Sequence, residues 1–124
     1  MILVDTSVWV DHLRSGDAQL VDLLERNAVV MHSFVVGEIA CGSLADRALT
    51  LELLQHLPMA VVADSDEVLG YIERHRLHGK GIGYVDVHLL ASAALGGTKL
   101  WTRDNRLHAV ARKFGCALPD ANAH

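Results

Sequence analysis

Ile2-Leu3-Val4-Asp5-Thr6-Ser7-Val8-Trp9 opens the chain with an apolar run that stops at an acid and continues in a helix-like pattern. Three branched apolar residues read as a short buried strand over residues 2–5, and Asp-Thr-Ser as the start of a helix from Ser7 to about Leu13. The motif then recurs. Val29-Val30-Met31 gives way to a helix carrying Glu38, with Ser33 as its expected N-cap and its end near Cys41. Asp86 opens an alanine-rich helix from Tyr84 or Val85 to Leu95, closed by Gly96-Gly97. Leu100-Trp101-Thr102-Arg103 runs into Asp104 and a last helix to Lys113. Helices over Ala18–Arg26, Ala45–Leu57 and Ser65–Leu77, and strands at Ala60–Ala63 and Cys116–Leu118, complete the expected order.

Strand and helix alternating in this way predict a three-layer α/β/α fold around a parallel sheet of four to five strands. At 124 residues, without repeats or linkers, the chain reads as one domain over 1–124. In such a sheet the carboxyl ends of the strands lie along one edge, where ligands bind. Asp5, Glu38, Asp86 and Asp104 are therefore expected to converge in one oxygen-rich pocket, which repels itself unless a divalent cation fills it.

Each acid also has a plainer reading. Asp5 and Asp104 cap helices, Asp86 offsets a helix dipole, and Glu38 belongs to a solvated helix face. Against this, Glu38 stands among Val36, Ile39 and Ala40, and Asp86 in a nearly continuous apolar run. A carboxylate buried in such surroundings needs a cation or hydrogen-bond donors.

The net charge of −4 conceals a split. Residues 1–73 hold 12 acids and 3 bases, and residues 74–124 hold 3 acids and 8 bases. Phosphate responds to the local patch more than to the total. Lys80, Arg103 and Arg106 are the bases expected to touch it. Cys41 and Cys116 form neither a metal-type pair nor a disulfide scaffold. No run is long enough to span a bilayer, and Asp5 breaks the opening apolar residues as no secretory signal would, so a cytoplasmic protein is expected. The 8 histidines read as scattered surface residues, Trp101 as core, and Trp9 as part of a partner surface.

Taken together, Asp5-Thr6-Ser7-Val8-Trp9, the Glu38 helix, the Ala-rich Asp86 helix and Leu100-Trp101-Thr102-Arg103-Asp104 resemble the PIN domain, and more narrowly the VapC-type ribonuclease toxins of toxin–antitoxin pairs. The resemblance spans essentially the whole chain. It implies that Asp5, Glu38, Asp86 and Asp104 bind Mg²⁺, or Mn²⁺ in its place, with Asp5 and Asp86 as principal ligands. Thr6, Ser7 and Thr102 would hydrogen-bond those carboxylates, and RNA phosphodiesters would be hydrolysed by an ion-activated water. It further implies a homodimer and a VapB-type antitoxin partner, for which the helix over 45–57 offers a surface.

Two other classes compete. A phosphoacceptor receiver domain shares the layers and would use Asp64, but it needs adjacent acids after the first strand and a Lys ending the last. Here Thr6 and Ser7 follow Asp5, and Lys99 begins its strand. A catalytically silent PIN module that only binds RNA or a partner is the other, and retention of all four acids argues against it.

Overall fold

The computed structural model describes residues 1–119; the tail residues 122–124, expected to fray, lie outside them. β1 (Ile2–Val4), β2 (Val29–Val30) and β3 (Lys99–Trp101) form a parallel sheet in the order β2-β1-β3. The helices are α1 (Thr6–Ser15), α2 (Ala18–Glu25), α3 (Ser33–Ala40), α4 (Arg47–Gln55), α5 (Ser65–His75), α6 (Tyr84–Gly96) and α7 (Asn105–Lys113). The opening segment thus becomes the central strand, with Leu3 and Val4 fully buried as an interior parallel strand requires.

The alternating pattern predicts four to five strands, and three form among the described residues. The remaining two are reduced to single parallel bridges, Met31 to Met59 on one edge and Leu100 to Ala117 on the other. At the first, the Met31 N–H donates to Pro58 O and the Ala60 N–H to Met31 O, and pairing goes no further. Val61 and Val62 are exposed, so nothing on that edge draws the segment into a longer ladder.

α6 is the most deeply buried helix, with every residue from Val87 to Ala93 enclosed. It ends where Gly97 takes a left-handed φ of 63° and its N–H caps Ala93 O. Trp9 is 2% exposed and belongs to the core, which overturns its expected place on a partner surface: it sits on the buried stripe of α1 with Val8. Trp101 is buried, as expected. No described helix is long and apolar enough to cross a membrane.

Candidate active site

Asp5 is the hub of the carboxyl-end edge. Its own N–H donates to Trp101 O, locking it to β3. One carboxylate oxygen, Oδ1, caps α1 by accepting the Thr6 N–H at 2.8 Å. The other, Oδ2, accepts from the Ser7 hydroxyl at 2.9 Å and the Thr102 hydroxyl at 2.7 Å. Only 6% exposed, this carboxylate has the donors that burial demands. The two hydroxyls reach onward, Ser7 Oγ accepting the Arg103 N–H and Thr102 Oγ1 the Asp104 N–H.

The other acids are each tethered by one oxygen. Asp104 caps α7 through Oδ1, which accepts the N–H groups of Arg106 and Leu107. Asp86 Oδ2 accepts the Gly83 N–H at 2.9 Å, and Glu38 Oε1 the Thr6 hydroxyl at 2.7 Å. Among the described residues the second oxygen of each, Asp104 Oδ2, Asp86 Oδ1 and Glu38 Oε2, accepts no hydrogen bond. Burial pushes the Asp86 carboxyl above the ordinary aspartate value, against the pull of the Gly83 N–H. The charges of Asp5, Asp104 and Glu38 raise it further. The four acids therefore share one electrostatic neighbourhood.

Glu38 is exposed, contrary to the expectation of an apolar setting. α3 buries Val35 and Ile39, one turn apart, and Glu38 lies off that stripe. Among the described residues no three His, Cys, Asp or Glu side chains are gathered tightly enough to hold a metal ion as they stand. The donor set nevertheless fits a hard cation: four carboxylates, three of them held at one oxygen and open at the other, without thiolate or imidazole.

Of the three bases expected at phosphate, Arg103 is already engaged. Its guanidinium donates to Asp11 Oδ2 at 2.6 Å and to Asp17 Oδ2, and it lies over the Trp101 ring. Asp17 caps α2 with its other oxygen, so Arg103 ties the α1–α2 corner to the end of β3. Lys80 and Arg106 are exposed and border a common cavity with Lys113. Asp64 is spent in a reciprocal capping box with Glu67, and the Lys99 ammonium donates to Gly115 O. Neither is placed to serve a receiver-type phosphoacceptor.

Two histidines are interior, against the expectation of surface positions. His32, not Ser33, is the N-cap of α3: its Nδ1 accepts the Phe34 N–H, and its Nε2 lies 3.0 Å from Ser92 Oγ in α6. Fully buried, with His88 nearby, it is held down to about 4. Burial lowers His88 as well. Phe34 and Tyr84 pack on the His88 ring, so this aromatic cluster joins the Glu38 helix to the Asp86 helix. The one signal of it in the sequence is the His88–Ser92 spacing on an otherwise apolar helix, facing a His at a strand end.

Known proteins resemble the chain in sequence and in fold. Residues 2–113 match the PIN domain family. Ribonuclease VapC32 of Mycobacterium tuberculosis, from strains CDC 1551 / Oshkosh and ATCC 25618 / H37Rv, is 50% identical over 121 residues, 97% of this chain and 98% of that protein. Among solved structures, FitAcB from Neisseria gonorrhoeae superposes with a TM-score of 0.64 at 22% identity, over 90% of this chain and 94% of its own. FitAB bound to an IR36 DNA fragment gives 0.61 at 21%, over 90% and 91%. The two solved structures speak to the fold alone. By family model and by identity along its length, the chain belongs to the PIN-domain family, among the VapC-type ribonucleases.

Proposed function

We propose that the chain is a Mg²⁺-dependent endoribonuclease, with Mn²⁺ able to substitute, and that it acts as the toxin of a VapBC-type pair. The reading rests on the family and on one observation: acids from four separate elements meet closely enough to lift the Asp86 pKa, each with an oxygen tied down and three with an oxygen open.

When bound, a divalent cation supplies the Lewis acidity that makes a water nucleophilic at neutral pH and offsets charge on the scissile phosphate. The rest is done by side chains. Ser7 and Thr102 fix the Asp5 carboxylate so that it cannot swing away, and the Gly83 N–H does the same for Asp86. Glu38 and Asp104, both exposed, stand at the solvent side, suited to water-mediated contacts and to orienting the attacking water. The antitoxin's place is a groove of about 580 Å³ that runs from Glu38 between α1 and α4, bordered by exposed Val10 and Leu13. Pairing with a second copy of the chain belongs to the same reading.

Purified protein stripped of metal should cleave single-stranded RNA only when Mg²⁺ or Mn²⁺ is restored. Asp5→Asn and Asp86→Asn should each lower the rate by about a hundredfold or more. Both keep an acceptor for the backbone N–H they cap, and circular dichroism checks that each variant is folded. Undiminished cleavage by either folded, highly purified variant would sink the reading.

A further inference from the structure

The α7 helix that begins at Asp104 carries a second feature farther along. Arg106, Val110 and Lys113, spaced i, i+4 and i+7, share one face and border a cavity of about 260 Å³. Lys80 of the loop before α6 closes another side. The rings of His75 and Phe114 make the aromatic wall, their centroids 4.9 Å apart at 60°. The cavity is apolar and aromatic inside and cationic at its rim.

Three observations suit it to a nucleotide. None of Lys80, Arg106 and Lys113 makes an ion pair among the described residues, whereas Arg103 is held by two aspartates. Arg106 is also laid in place. Gly81 has a φ of 77°, and a Cβ there would stand 2.7 Å from Arg106 Cδ and 2.8 Å from Nη1, so the arginine lies directly against the loop backbone. Finally, the loop and the helix that form the cavity both adjoin the acidic cluster, the loop ending there and the helix beginning there. The Arg106 N–H is on Asp104 Oδ1, and the Gly83 N–H is on Asp86 Oδ2. At a rise of about 1.5 Å per residue, Lys113 stands about 10 Å beyond Arg106, leaving a track that leads away from the acids.

We propose that this cavity receives an RNA nucleotide flanking the scissile phosphate, with its base against Val110 and Phe114 and its phosphates on Lys80, Arg106 and Lys113. The proposal rests on the ribonuclease reading of the acidic cluster. Cations along a groove combined with an aromatic face are the usual means of holding single strands. The chain is acidic overall, so a localised cationic rim is what allows it to grip a polyanion.

The test is fluorescence anisotropy with a labelled single-stranded RNA in EDTA, where binding is read without cleavage, across a series of salt concentrations. Lys113→Glu should weaken binding about tenfold and flatten the slope of log affinity against log salt by about 0.7 for each phosphate no longer neutralised. Phe114→Leu, which keeps an apolar side chain but removes the ring, should weaken binding roughly fivefold with the slope unchanged. Gly81→Ala should reproduce the weakening seen in Arg106→Ala, because the added methyl displaces the guanidinium. Wild-type affinity and slope in Lys113→Glu would overturn the proposal, as would unchanged RNA binding with weakened binding of purified cognate antitoxin. Metal-dependent cleavage by the wild-type protein reports separately on the ribonuclease reading, so the two can fail independently.

Discussion

Thr102 gives its hydroxyl hydrogen to Asp5 and accepts the Asp104 N–H, so one oxygen ties together two acids from opposite ends of the chain. Thr102→Val keeps the shape and the β-branch but removes both bonds. It should cost about 1–3 kcal/mol in a urea melt, because a buried carboxylate oxygen loses a donor and a backbone N–H its acceptor. Metal-dependent cleavage should fall by about 10- to 100-fold, with Thr102→Ser recovering most of it. A Val variant of wild-type rate would show that Ser7 alone holds Asp5. At this scale the sequence is legible in identity but not in environment. Capping and site-forming read as alternatives for Asp5 and Asp104, yet a carboxylate has two oxygens and uses them separately. Glu38 reads as enclosed because its neighbours in sequence are apolar, but a helix turns about 100° per residue and carries it off the buried stripe.

Helices are the easiest elements to read, since their apolar spacing and their caps point the same way. The caps of α5 and α3 are Asp64 and His32, each directly before a serine, and His32 displaces the expected Ser33 by one residue. In both cases the residue before the serine has the longer acceptor and takes the extended backbone. Asp64→Ala should therefore destabilise the protein by about 1 kcal/mol in chemical denaturation. RNA cleavage should be unchanged; a large loss of activity would mean that Asp64 has a chemical role after all. The edge strands are less legible. Ala60–Ala63 has strand composition, but whether an edge segment pairs depends on what lies beside it, and here only Met59 does.

The whole molecule should be acid-sensitive through one buried group, His32. Unfolded, His32 takes up a proton near pH 6.5, whereas in the fold it does so only near 4. Above pH 6.5 both states are neutral and stability is whole. Between 6.5 and 4 the unfolded chain binds the extra proton, so stability drains as pH falls, by up to on the order of 3 kcal/mol. Thermal melts at about pH 7 and about pH 5 should show the lower midpoint in the more acidic buffer. His32→Asn keeps an acceptor for the Phe34 N–H and should narrow the gap between the two; an equally wide gap in the variant would assign the sensitivity elsewhere. The layered α/β/α order is legible because a parallel sheet needs alternating elements, whereas the joining of α3 to α6 through His32, Ser92 and His88 depends on contacts that no local pattern encodes. In the strand order β2-β1-β3 the middle strand precedes both neighbours along the chain, and β3 is made last of the three. Asp5 leaves the ribosome with neither Trp101 nor Thr102 to lock it, and non-local pairing of this kind cannot begin until those residues follow. A nascent chain is thus unable to join its first strand's acid to the Thr102 segment until β3 has followed β1 out of the ribosome.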